Sequence, residues 1–303
     1  MSTWKRVSQF IERIVFINMK LLVLGANGMA GHMITLYFLE KGYEVTGFSR
    51  QDSLRWNTIT GDANNIDQLT EILLENEYDY VINCIGVLNQ FAQERISNAI
   101  YLNSYLPHII TEIIKDKKTR LIHMSTDCVF AGNTGPYTEN SLCDGTTVYD
   151  KTKALGEIED NKNLTFRMSI IGPDVKENGI GLFHWFMKQQ TELLGYTNAI
   201  WTGVTTLTLA RAMEQAMKDK LTGLYHLVNN MAISKYELCQ LFNYYFRDNK
   251  LLIKPFPDKK LDKTLINTRS DFTFVVPGYE QMIQEMKEWI YYHRSLYPLY
   301  YFN

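Results

Sequence analysis

The sequence predicts an α/β protein, a doubly wound parallel sheet that carries a smaller C-terminal lobe. Three observations point there. A nearly all-apolar run at residues 20–24 passes directly into Gly25-Ala26-Asn27-Gly28-Met29-Ala30-Gly31. Short apolar runs then alternate with amphipathic stretches as far as Ile171, the rhythm of a parallel sheet with helices on both faces. Beyond Gly172 that rhythm changes. Residues 19–171 are therefore read as the sheet domain, and 172–303 mainly as the lobe, with some segments returning to the sheet.

Bulk composition sets limits. A chain of 303 residues is long for one core and suits two lobes. It is 46% hydrophobic and 21% charged, ordinary for a globular chain. A net charge of −2 gives no electrostatic reason to expect nucleic acid or an anionic membrane surface. Cys84, Cys128, Cys143 and Cys239 show no CxxC spacing. Without a secretory signal, reduced thiols in the cytoplasm are the expectation. The histidines form no HxxxH or HExxH cluster, so no metal site is expected. No apolar stretch is long enough to cross a bilayer. Residues 1–18 are read as an amphipathic, poorly ordered extension or an upstream start, ahead of a domain that begins near Met19.

Each element has its own signal. Residues 20–24 are apolar at almost every position, as in a strand buried on both faces. In the turn, Gly25 permits the tight bend, Gly28 lets backbone approach a pyrophosphate, and Gly31 lets the helix pack on the strand. The helix N-terminus then offers free N–H groups to phosphates. The alternative is a strand-to-helix turn that is glycine-rich for packing alone. Met33, Leu36, Phe38 and Leu39 mark the helix, which ends near Gly42. Residues 43–48 form the next strand and close a βαβ unit, the opening of a Rossmann-type domain.

The alternation continues with a strand at 56–61 ending in Asp62, a helix at 66–74 and a strand at 79–85 ending Asn83-Cys84-Ile85-Gly86. A long helix over 91–115 carries Asn103, and Pro107 is set to kink or break it. Strands follow at 120–125 and 164–171. Gly28, Ser49, Asp62, Gly86 and Thr126 all fall at the carboxyl ends of strands, the edge where such sheets bind ligands. In the lobe, residues 182–194, 205–217, 234–246 and 279–292 read as helices, the third with a Ser234/Glu237 capping box. Residues 223–228 read as a strand and 258–263 as a solvated charged loop. The aromatic tail at 297–302 is expected to pack on the body.

Tyr149 and Lys153 lie four residues apart, so on a helix they share one face. A free phenol titrates near ~10. A neighbouring ammonium favours the phenolate and lowers that value. A shift of ~3 units is roughly 4 kcal/mol, enough to make the pair an acid/base near neutral pH. The alternative is an exposed Tyr and Lys on a helix surface.

With these motifs placed, the chain resembles the extended short-chain dehydrogenase/reductases. Among them it is most similar to dTDP-4-dehydrorhamnose reductases and related 4-keto sugar-nucleotide reductases. The likeness runs from about Lys20 to Trp289. It rests on Gly25 to Gly31, Asn83 to Gly86, Asn103, Ser125-Thr126-Asp127 with Val129-Phe130, Pro136-Tyr137, Tyr149 to Glu157, and Arg167-Met168-Ser169.

The resemblance implies a catalytic trio. Thr126 would hydrogen-bond the reacting oxygen, Tyr149 would donate the proton, and Lys153 would tune the phenol and hold the nicotinamide ribose. Cofactor contacts would come from Gly25, Asn27, Gly28, Met29, Gly31, Ser49, Arg50, Asp62, Cys84, Ile85, Gly86 and Asn103, with Tyr149 and Lys153. Val87, Asp127, Cys128 and Ile170 would face the sugar. Rhamnose reductases usually carry Tyr at the position of Cys128 and Trp at that of Ile170, so a UDP-linked N-acetylated sugar competes with rhamnose. An acid at the end of the second strand would repel a 2′-phosphate. Here Phe48-Ser49-Arg50 carries none, and Arg50 could pair with that phosphate. NADPH is expected, with NADH possible; the alternative leaves Arg50 on the adenine or in solvent. The resemblance also implies surface-polysaccharide sugar biosynthesis and a homodimer. Two other functions compete: an epimerase with tightly bound NAD, and a non-catalytic nucleotide-binding regulatory subunit.

Overall fold

The computed structural model describes residues 19–258 and 260–300. The extension read at 1–18 and the last three residues of the chain, which include the end of the aromatic tail, lie outside the described residues. The first half of the chain lays down β1 (Lys20–Leu24), α1 (Met29–Glu40), β2 (Glu44–Ser49), β3 (Thr58–Thr60), α2 (Ile66–Glu75) and β4 (Tyr80–Asn83). Then come α3 (Asn89–Glu94), α4 (Ile96–Ala99), a π-helical segment Ile100–Tyr105, α5 (Leu106–Ile113), β5 (Arg120–Ser125), α6 (Val148–Leu155) and β6 (Leu164–Arg167). The second half adds β7 (Ser169–Ile171), α7 (Leu182–Met187), β8 (Glu192–Tyr196), β9 (Ala199–Trp201), β10 (Gly203–Thr205), α8 (Thr206–Asp219) and β11 (Gly223–His226). It ends with β12 (Ile233–Ser234), α9 (Lys235–Arg247), β13 (Leu252–Phe256), β14 (Leu261–Asp262) and α10 (Tyr279–Tyr292).

Seven strands form one parallel sheet in the order β11-β6-β5-β4-β1-β2-β3. Alternate side chains of β1 explain why it is apolar throughout. Leu21 and Val23 join one core layer with Met33, Phe38 and Met213. Leu22 and Leu24 join the opposite layer with Leu69, Val81, Leu106 and Leu121. Both faces of the sheet are thus covered by helices, as a parallel sheet requires. The expected strand at 164–171 divides at Met168. Its first half, β6, stays in the sheet, while β7 pairs with β10 in the lobe.

Three expected elements differ. The helix expected over 91–115 is broken at Arg95, whose φ of −136° and ψ of 76° are not helical. It then widens into the π-helical segment just ahead of Pro107. Pro107 has no N–H to bond the carbonyl four residues back, that of Asn103, and such widenings accommodate the lost bond. The helix expected over 182–194 stops at Met187. Residues 192–196 are a strand instead, with Leu193 buried and Leu194 exposed, and β8 pairs with β13. Two apolar neighbours in so short a run fit either period. Within the expected loop 258–263, Leu261–Asp262 pairs with β9.

The Ser234 cap is present. Its hydroxyl accepts the Glu237 N–H at 3.1 Å, and the Glu237 carboxylate accepts the Ser234 N–H at 2.9 Å. Among the described residues, no helix is long and apolar enough to cross a membrane.

Gly156, at the C-terminus of α6, lies directly against the Asn103 backbone. A Cβ at this position would come within 1.8 Å of the Asn103 carbonyl oxygen. Gly156→Ala is therefore expected to destabilise the protein by roughly 2–3 kcal/mol, measured by chemical denaturation. An unchanged midpoint would mean that α6 can move freely off the π-helical segment.

Candidate active site

Helix α6 is started by a reciprocal cap. The Thr147 hydroxyl accepts the Asp150 N–H at 3.1 Å, and the Asp150 carboxylate accepts the Thr147 N–H at 3.0 Å. This fixes the first turn, and Tyr149 and Lys153 both turn inward, 8% and 4% exposed. Thr126 follows β5 and caps a short turn, Asp127–Val129. Its hydroxyl accepts the Cys128 N–H and donates to the Asp127 carboxylate, both at 3.1 Å. The same hydroxyl lies close enough to the Tyr149 phenol to lower its pKa. Tyr149 packs with Ala92 and Ala99, and Val87, Cys128 and Val148 flank it. The structure thus brings Thr126, Tyr149, Val87 and Cys128 together. Asp127 is buried beside them. Ile170 lies half-buried on β7, packed against the larger core layer.

The electrostatics differ from expectation at the phenol. Burial pushes Tyr149 above its usual value, and the Cys128 thiol adds to this, with Thr126 opposing. The largest influences on the phenol come from groups other than Lys153. The lysine instead donates to the Met124 carbonyl at 2.6 Å and sits 3.4 Å from His123 Nε2. Burial lowers its pKa to about 8, against the pull of Glu157 and Cys84. His123 is fully buried and held neutral by burial and by the neighbouring lysine. Tyr149 is therefore protonated at neutral pH, as an unshifted phenol would be, but is a weaker acid than the expected lowered value would make it.

The glycine turn leaves an open cradle. Gly25 has φ of 79°, a conformation that glycine adopts freely. A Cβ on Gly31 would lie 2.1 Å from the Gly25 carbonyl, so only glycine allows α1 to start this close. Around a Cβ on Gly28 the sole near atom is the Gly25 oxygen, at 3.2 Å; on Gly86 it is Asn103 Oδ1, at 3.7 Å. Both glycines border open space that a side chain would fill. These residues fit a dinucleotide whose pyrophosphate approaches the backbone.

Asn27 donates to Ser49 Oγ at 2.9 Å and to the Gln51 carbonyl at 2.8 Å. The Ser49 hydroxyl also donates to that carbonyl, so both side chains stitch the turn to the end of β2. Arg50 is exposed. Asp62 is held below its usual range, first by the Asn64 N–H and in smaller part by Arg50. Met29 reaches across to the lobe, where a Cβ on Gly181 would lie 2.8 Å from its sulfur. The Cys84 thiol is pushed up to about 12 by burial. Ile85 donates its N–H to Asn83 Oδ1 at 3.1 Å.

Asn103 is fully buried. It accepts the Val87 N–H at 2.8 Å and donates to the Val87 carbonyl at 3.0 Å and to Thr152 Oγ1 at 3.1 Å. Both amide protons are engaged, so this residue clamps the 84–87 segment to α6.

Sequence reasoning missed a second polar layer. Glu157 accepts from Arg167 at 2.8 and 2.6 Å and from the Ser125 hydroxyl at 2.5 Å. Arg167 donates to His226 Nε2 at 2.9 Å, and His226 Nδ1 donates to the Ile266 carbonyl at 3.0 Å. Glu157 lies four residues after Lys153, a spacing that could have drawn attention to it. Among the described residues, no group of three His, Cys, Asp or Glu side chains could hold a metal ion.

Comparison with known proteins supplies the family. A family profile described as the RmlD substrate binding domain matches residues 19–268. The chain is 29% identical over 139 residues to the probable low-salt glycan biosynthesis reductase Agl14 of Haloferax volcanii. That match covers 45% of this chain and 46% of that protein, under half the length of either. It is 23% identical over 294 residues to the dTDP-4-dehydrorhamnose reductase of Shigella flexneri, covering 88% of this chain and 97% of that one. The crystal structure of dTDP-4-dehydrorhamnose reductase from Bacillus anthracis, in complex with NADP, superposes with a TM-score of 0.76 at 18% identity, covering 91% of this chain and 99% of that one. The profile spans the sheet, the glycine turn, α6 and much of the lobe, and the chain belongs to the RmlD substrate-binding domain family, on the fold of the extended short-chain dehydrogenase/reductases.

Proposed function

We propose that this protein is an NADPH-dependent reductase of a nucleotide-linked 4-keto-6-deoxy sugar, acting in the synthesis of surface-polysaccharide sugars. The observation that carries the reading is that buried Tyr149 and Thr126 both lie against Cys128, at the strand edge that also holds the glycine cradle. A bound nicotinamide supplies the hydride to C4. Thr126 hydrogen-bonds the ketone oxygen, and Tyr149 delivers its proton to that oxygen as the C–H bond forms. The phenol is protonated at neutral pH, and the alkoxide that forms as the ketone is reduced is the stronger base, so the proton transfers even from a phenol whose pKa burial has raised. Lys153, as an ammonium, holds the ribose. Arg50, exposed beyond β2, pairs with the 2′-phosphate in this reading.

The apolar flank of Val87 and Val148 suits a deoxy methyl better than a hydroxymethyl group. The reductase names of the Haloferax and Shigella relatives support the same class. A homodimer belongs to this reading. Leu88, Phe91, Ile96, Ile100, Tyr105 and Leu155 are exposed apolar side chains on helical segments that pack on one another.

Three outcomes test the reading. With NADPH and a panel of dTDP- and UDP-linked 4-keto sugars, Tyr149→Phe is expected to lower kcat by roughly 10²–10⁴; wild-type turnover by that variant rejects the assignment. Arg50→Ala is expected to shift the NADPH/NADH ratio of kcat/KM by about tenfold toward NADH, and an unchanged ratio removes Arg50 from the site. Lys153 works as the ammonium, so the rate falls as pH rises through about 8.

The same pKa shift affects stability. Above that value the folded chain has released a proton that the unfolded chain still holds, so the contribution of Lys153 to stability rises with pH. Relative to Lys153→Met, wild type is expected to gain about 2 kcal/mol between about pH 7.5 and 9.5. A pH-independent difference in denaturation would show that the lysine is not desolvated.

A further inference from the structure

The C-terminal tail carries two phenols whose contacts have the same form. Tyr297 and Tyr300 are 2% and 3% exposed. Tyr297 OH lies 2.9 Å from His32 Nε2, and His32 Nδ1 lies 3.0 Å from the Gly28 carbonyl. A carbonyl only accepts, so Nδ1 carries the imidazole proton and Nε2 takes the phenol's. Burial lowers the His32 pKa to about 4, which keeps the ring neutral and this tautomer fixed. Tyr300 repeats the pattern. Its OH lies 2.7 Å from His184 Nδ1, and His184 Nε2 lies 3.0 Å from the Glu177 carbonyl. The Asp174 N–H donates to Tyr300 OH at 2.8 Å.

The two relays end in different places. The first ends on Gly28, whose carbonyl also accepts the His32 N–H at 2.9 Å. Pinning that carbonyl along the helix axis fixes the peptide plane whose far side borders the open cradle. The second ends on the loop from Asp174 to Gly181, the segment that meets Met29.

We propose that Tyr297 is a positioning residue for the dinucleotide, holding the Gly28 peptide in its binding orientation through His32, while Tyr300 serves the lobe. The inference rests on the dinucleotide reading of the cradle. In it, the last described turn of the chain completes a site made by the first thirty-odd residues of the sheet domain. The effect passes through one buried hydrogen bond, so the expected loss of affinity is about three- to tenfold.

The test uses the full chain and compares two equal chemical changes in one tail. Wild type, Tyr297→Phe and Tyr300→Phe are titrated with NADPH by its fluorescence, and their thermal unfolding is recorded alongside. Hydrogen exchange of the peptide covering residues 25–31 is followed without cofactor. Tyr297→Phe should bind NADPH about three- to tenfold more weakly and exchange faster in that peptide. Tyr300→Phe should stay within about twofold of wild type for a similar loss of melting temperature. Should Tyr297→Phe fail to fold, His32→Asn removes the same link from the other side and takes its place. Wild-type affinity in the Tyr297 variant overturns the inference alone, as does equal weakening in both variants, which would mark a purely structural tail. A wild type that binds neither NADPH nor NADH overturns the proposed function, and this inference with it.

Discussion

An ammonium group almost out of reach of water sets the terms for the strand edge. Removing such an ion from solvent costs several kcal/mol unless polar groups replace the lost hydration. The Met124 carbonyl does so directly for Lys153, and Glu157 does so through its charge. For Nζ to reach β5, α6 must present one particular face. Three features hold it there: the reciprocal cap at Thr147, the contact of Gly156 with the Asn103 backbone, and the Asn103 bond to Thr152. Through the other arm of Asn103 the same constraint reaches Val87. The position of one charge thereby sets the relation between Tyr149 and the segment beside the cradle.

Glu157 is shared by two cations, since it also receives both arms of Arg167. A buried pair of this kind is weak support for stability, because desolvation consumes much of the attraction. Its value here is geometric. Arg167 on β6 meets His226 on β11, and Glu139 accepts the His226 N–H from the loop after β5. Arg167 also lies over the Phe130 ring, which stacks on Tyr137. The loop that begins with Thr126 is thus anchored from below by the sheet's own polar layer.

Much of this was legible in the residues. The apolar run of β1, the spacing of Gly25, Gly28 and Gly31, and the cap at Ser234 are local signals, and each depends on contacts within a few residues. The placement of Tyr149 inward followed from helical spacing together with the convergence of strand ends. What could not be read was non-local. The lysine's preference for the Met124 carbonyl over the phenol is a matter of tertiary distance. That Asn103 clamps Val87 to Thr152 likewise depends on which segments meet on either side of it. The strand at 192–196 needs β13, some sixty residues on, to declare its period. The aromatic tail announced burial and gave no hint of the histidines that receive it.

The sheet is finished late. β6 lies between β5 and β11, and the residues of β11 follow the whole of β7 to α8 in the chain. A nascent polypeptide that has emerged only through Arg167 therefore exposes a raw lateral border, with amide and carbonyl groups still open to any stray extended segment. The strand that covers β6 arrives more than fifty residues later, after part of the lobe has been made, and then forms the edge in its place. Vectorial synthesis on the ribosome thus makes the two halves of this protein wait for each other.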